Sequence, residues 1–212
     1  MSPTILLLAK HIVLLLVCIT GDKLSLVVQK PHILKAAIDN VTHALIGLIV
    51  TEIVVRNFHD QVGRNEKYAL IGTGFVLSSL IDLDHFIEAK SFSLHDATNL
   101  SERPFLHNSS IFLGLLVSMI GTIATQAKFN ASLWITVNFI AFFTHQLRDA
   151  IRRGFWFRAP YLNYSTAPVI YWVYLALTQL CPHAIIQLLD MQRSRSTSLG
   201  EYKTKYKALE VV

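Results

Sequence analysis

Residues 68–88 read YALIGTGFVLSSLIDLDHFIE, and this stretch decides the fold. Its first part, from Tyr68 to Ile81, carries no charge. About 20 mainly apolar residues span a hydrocarbon core of about 30 Å. Inside lipid a single segment satisfies its own backbone hydrogen bonds only as a helix. The stretch therefore predicts a membrane-crossing helix. Its last turns carry Asp82, Asp84 and His85, so three ionisable groups stand where the helix leaves the core.

Five further runs resemble it, at about 4–20, 36–55, 109–127, 131–147 and 166–188. The chain is 52% hydrophobic and 16% charged, with a mean hydropathy of +0.44. A soluble domain carries roughly a quarter charged residues. The expectation is an all-α fold: a polytopic helical membrane bundle of about six transmembrane helices in a lipid bilayer. Residues 1–189 form one domain, and 190–212 read as a polar, flexible tail. Lys10 and His11 interrupt the first run, yet no A-x-A-like cleavage site follows it. A retained helix is expected, not a signal peptide.

The net charge of +5 forms no dense basic stripe, so nucleic acid is not an expected partner. Cys18 and Cys181 lie in apolar runs and read as small buried hydrophobes. No P-loop, GxGxxG or nucleophile elbow is present. Lys and Arg divide evenly between the two sets of loops, so the positive-inside rule assigns no orientation.

Alternating helix directions bring the polar residues to one membrane face. Asp39 and His43 open the second span, and Asp82, Asp84 and His85 close the third. His107 precedes the fourth, and His145, Arg148 and Asp149 close the fifth. Asp39 with His43, Asp82 with His85 and His145 with Asp149 are three or four apart, on one helix face each. Carboxylates near the bilayer interior are costly, which calls for a compensating cation. Mixed His/Asp ligation suits a divalent Zn, Mn or Fe ion better than calcium. The expected metal ligands are His43, Asp82, Asp84, His85, His107 and Asp149, with Asp84 alternatively orienting a histidine. His145 is a ligand or general base, and Arg103 and Arg148 would hold an anion. Each pair also has a structural reading, as a helix-terminus charge or an interfacial ion pair.

The order D-x-x-x-H from Asp39, D-x-D-H from Asp82, R-x-x-x-H from Arg103 and H-x-x-x-D from His145 resembles the YdjM-like family of membrane-bound hydrolases over about residues 36–160. The resemblance implies metal-dependent hydrolysis. The chain departs from the family pattern H-R-G-x-T-H-S, carrying Glu102, Pro104 and Leu106 at the first His, the Gly and the Thr. The same segments, extended through Trp172 and Pro182, also resemble a second family of multi-pass membrane proteins over most of the chain.

The functional expectation is a metal-dependent hydrolase acting on a membrane-embedded lipid or anionic headgroup. The alternative is a non-catalytic scaffold or partner-binding protein that keeps the His/Asp cluster as a staple. A transporter ranks third, because transport sites tend to lie near the midplane rather than at one face.

Overall fold

A computed structural model describes residues 2–209 of the chain. The first helix, α1 (Pro3–Val27), starts at the Ser2 hydroxyl, which accepts from the Ile5 N–H at 3.3 Å. It is followed by α2 (His32–Asn57) and α3 (Arg64–Leu80). A 3-10 turn at Ile81–Leu83 leads into α4 (Asp84–Ala89). Next come α5 (Leu94–Thr98) and a second 3-10 turn, Phe105–His107. The chain then runs through α6 (Ser110–Ala124) and α7 (Phe129–Arg153). A hairpin of β1 (Trp156–Ala159) and β2 (Leu162–Ser165), paired antiparallel, precedes α8 (Tyr171–Leu209). Residues 190–209, expected as a tail, continue that helix; 210–212 lie outside the described residues.

The fold is the expected helical membrane bundle. Four helical stretches are long and apolar enough to cross a bilayer: Thr4–Val27, His32–Asn57, Arg64–Ala89 and Tyr171–Ser198. The other two expected spans are helices of a different character. At 15 residues, α6 rises only about 22 Å. Helix α7 spends part of its length on Asn138, Thr144, His145 and Gln146, and it packs against α2, α3, α6 and α8. A helix shielded by others can carry polar groups that a lipid-facing helix cannot. Around it, α1 turns Leu8 and Leu16 outward, as a lipid-facing surface requires.

Lipid tails are as apolar as leucine, so burial alone does not hold such helices together, and close packing at small residues matters. The α2–α3 seam is built this way. A methyl group at Gly47 would collide with Ser78, and one at Gly74 with Thr51. Gly72, two residues before Gly74, faces open space. The two cysteines are free and buried. Lys10, the charge that interrupts the first run, lies 3.5 Å from Glu52 Oε1, and Arg56 Nε stands 2.7 Å from the same oxygen.

The two ends of the bundle differ. At one end Asp60, in the α2–α3 turn, pairs with Arg193 at 2.5 Å, and Gln192 donates to the Ala127 carbonyl. At the other end stand the α3–α4 junction, the second 3-10 turn, the end of α7 and the hairpin.

Candidate metal centre

Four helical segments deliver the cluster. His43 comes from α2, Asp82 and Asp84 from the α3–α4 junction, His107 from the second 3-10 turn, and His145 and Asp149 from α7. The break of α3 into a 3-10 turn brings Asp82 and Asp84 to the same centre, although a continuous α-helix would splay residues two apart.

Neighbours fix the ring orientations. The His145 Nδ1–H donates to the Ser78 carbonyl at 2.8 Å. The His107 Nδ1 faces Asp84 Oδ2 at 3.3 Å, and that oxygen also accepts from the Leu106 N–H at 2.6 Å. Each ring thereby turns Nε2 toward the centre, which is how metal-binding histidines are commonly held. Asp82 is held likewise: its Oδ2 accepts from Asn40 Nδ2 at 3.2 Å, and Asn40 Oδ1 accepts from Ser79 Oγ at 2.6 Å.

Four ligand atoms then converge. His107 Nε2 and His145 Nε2 are 3.3 Å apart. Asp82 Oδ1 is 3.5 Å from the first and 3.4 Å from the second. Asp149 Oδ2 is 3.3 Å and 3.6 Å from the same two nitrogens. A tetrahedral ion with bonds of about 2.0–2.2 Å requires ligand–ligand edges of roughly 3.3–3.6 Å. Asp82, His107 and His145, whose three mutual edges run from 3.3 to 3.5 Å, fit three corners of such an ion and leave a corner for water. Several buried atoms here also lack hydrogen-bond partners among the described residues: both His43 ring nitrogens, Asp84 Oδ1 and His85 Nδ1. Buried polar groups are almost always paired, and an ion is one reason for exceptions.

A proton is the alternative occupant. Burial of the His107 ring opposes protonation, but Asp149, Asp82 and Asp84 outweigh it, and its pKa stands well above the ordinary 6.5.

A cavity of about 160 Å³ opens over the centre, lined by Asp82, His85, Arg103, His107, Asp149 and Arg152 among others. Arg103 donates to the backbone carbonyls of Gly154 and Arg153 at 3.1 and 2.6 Å, which anchors it at the wall. Arg148 is placed elsewhere. It is fully buried behind the cluster, 2.8 Å from Asp22 and 2.9 Å from Asp39. Arg152 joins Asp39 at 2.8 Å. Asp39 therefore serves arginines, whereas Asp149 faces the histidines. Glu102 lies outside the cluster and pairs with Arg158 at 2.9 Å. Asn40, Ser78 and Asp22 were not singled out as site residues; only Asn40, one turn from His43 on the same face, carried a usable spacing signal.

No family model matches the chain. No solved structure matches it. Curated proteins do. Transmembrane protein 267 of Danio rerio is 34% identical over 183 residues, which cover 84% of this chain and 78% of that protein. Transmembrane protein 267 of Xenopus laevis is 32% identical over 180 residues, 79% of this chain and 75% of that one. The Bos taurus protein of the same name is 30% identical over 171 residues, 79% and 76% of the two chains.

Proposed function

The chain belongs to the transmembrane protein 267 family, and we propose that it holds a divalent metal ion at one membrane face and uses it to hydrolyse an anionic substrate presented by the bilayer. The observation that carries this reading is the convergence of Asp82 Oδ1, His107 Nε2 and His145 Nε2, 3.3 to 3.5 Å from one another, with Asp149 Oδ2 3.3 and 3.6 Å from the two nitrogens. The motif resemblance to the YdjM-like hydrolases supports it. The change at Glu102 does not remove a ligand from these four, since Glu102 pairs with Arg158 instead.

In this reading Asp82, His107 and His145 would hold a Zn, Mn or Fe ion with a position left for water, and Asp149 Oδ2 stands beside both histidine nitrogens. A bound divalent ion lowers the pKa of a coordinated water and polarises an ester or phosphoryl oxygen. His145, with no exposed surface, acts as a ligand and not as the general base. His85, on the cavity wall with Nδ1 3.2 Å from Asp84, exchanges the proton. Arg103 and Arg152 supply positive charge to the same cavity and orient an anionic headgroup. Arg148 holds α7 in place from behind and does not touch substrate.

The non-catalytic reading keeps one specific support: Arg103, Arg148 and Arg152 all already bond to protein groups. Metal content of the detergent-purified chain, measured beside Asp82→Ala and His107→Ala, tests the centre. The expected result is bound transition metal in the parent and its loss in both variants; a parent free of metal after metal supplementation overturns the proposal. If metal binds, turnover of phosphate-ester and carboxylic-ester lipids by the parent, lost in His85→Ala with metal retained, separates the hydrolase from the staple.

A further inference from the structure

A first ion on Asp82, His107 and His145 leaves His43 unexplained. The side chain is buried, with 1% of its surface exposed, and neither ring nitrogen makes a hydrogen bond among the described residues. Nε2 nevertheless stands 3.4 Å from Asp149 Oδ1. That contact is misaligned for a hydrogen bond and has the length of a ligand–ligand edge.

The ring planes decide what His43 can do. His43 stacks on His145 with centroids 3.8 Å apart and planes only 19° from parallel. A metal lies close to the plane of an imidazole that binds it, along the nitrogen lone pair. Two stacked rings aim such lone pairs side by side, at points separated by about the stacking distance. One ion does not sit in both planes. Asp149 matches this doubling, turning Oδ1 to His43 and Oδ2 to His145 and His107.

We propose that the site is dinuclear: a second divalent ion binds between His43 Nε2 and Asp149 Oδ1, and the Asp149 carboxylate bridges it to the first. This rests on the metal reading above and deepens it. The stacking distance agrees with the separation of about 3.5–4 Å found in two-metal hydrolytic sites.

Charge sets a condition on the second ion. Asp22 and Asp39 are matched by Arg148 and Arg152. That leaves Asp82, Asp84 and Asp149 facing the histidines, with Arg103 on the cavity wall. One divalent ion balances this set, so a second ion brings with it a bridging hydroxide and an anionic substrate. The second ion has two protein ligands, so its remaining positions fall to water and substrate from the cavity that Asp149 lines. A weaker affinity than that of the first ion follows.

The test uses the full chain in detergent, stripped with chelator and titrated with Mn²⁺ alone. Bound metal is counted after gel filtration, and electron paramagnetic resonance reports spin coupling. The expected result is two Mn²⁺ per chain in two affinity steps, with a spin-coupled spectrum at saturation. His43→Gln, which keeps most of the side-chain volume, is expected to bind one ion and give an isolated-ion spectrum. One uncoupled Mn²⁺ in the parent overturns the dinuclear site and leaves the single-ion centre standing. No bound Mn²⁺, with zinc also failing to bind, overturns both. Two coupled ions in His43→Gln overturn the assignment of His43. Because the parent spectrum alone decides between one ion and two, the test survives a variant that does not fold.

Discussion

At the scale of single residues, the ligands and the groups that aim them make different predictions. Asn40 touches no ligand position itself but orients Asp82. Replacing such a partner typically costs about 10–100-fold in metal affinity. Asn40→Ala is expected to fall in that range by competition titration against a chelating dye, with stoichiometry unchanged. His107 sets the pH dependence. In the metal-free chain its folded pKa lies well above its ordinary 6.5. A raised folded pKa contributes stability that is complete below about pH 6.5 and is lost as pH rises through the folded value. The melting difference between metal-free parent and His107→Gln should therefore shrink as pH increases above neutrality. Metal uptake runs the opposite way: the ion displaces this proton, so affinity rises over the same window and binding releases acid, measurable in weakly buffered solution. The His/Asp pairs were legible because ligand types repeat at helical spacing. Asp22 was not. The first span was expected to end at about residue 20, which put Asp22 in a loop, whereas α1 runs on to Val27 and points it at Arg148, 126 residues away.

At the scale of elements, two seams hold the centre in register. Along the first, α2 meets α3 at Gly47, Gly74 and Ser78, directly below His43 and the Ser78 carbonyl that aligns His145. Gly47→Leu is expected to wedge the helices apart and abolish metal binding without removing any ligand. Metal content and a thermal melt of the purified variant check this. The second seam is electrostatic: Arg148 of α7 bridges Asp22 of α1 and Asp39 of α2. Removing one partner of a buried ion pair costs about 3–5 kcal/mol, because the other charge stays buried and unmatched. Arg148→Ala should lose that much stability, while Arg103→Ala, whose contacts are two carbonyls at the cavity wall, should fold normally and lose anion affinity. The stretch 148–165 shows why elements were harder to read than spans. It mixes arginines with aromatics and shows no single period. In the fold it divides into the last turn of α7 and a hairpin whose strands have four residues each, too short to declare themselves by alternation.

At the scale of the whole molecule, membrane character follows from composition, and four helical stretches are long and apolar enough to cross a bilayer. Asp60 and Arg193 mark one end, the metal centre and the hairpin the other. Phe92 and Tyr161 are fully exposed at the second end. Because both native cysteines are buried, single cysteines introduced at 92 and 161 should react with an impermeant thiol reagent from the same side of sealed vesicles, and one at 60 from the opposite side. A shared side for all three sinks the topology. The buried Arg148 also bears on biogenesis. During synthesis α1 and α2 emerge first, each carrying an acidic residue, and α7 brings the matching guanidinium more than a hundred residues later. Until then Asp22 and Asp39 lack the guanidinium that joins them in the fold, so the contact that ties α1 and α2 to α7 closes late in assembly.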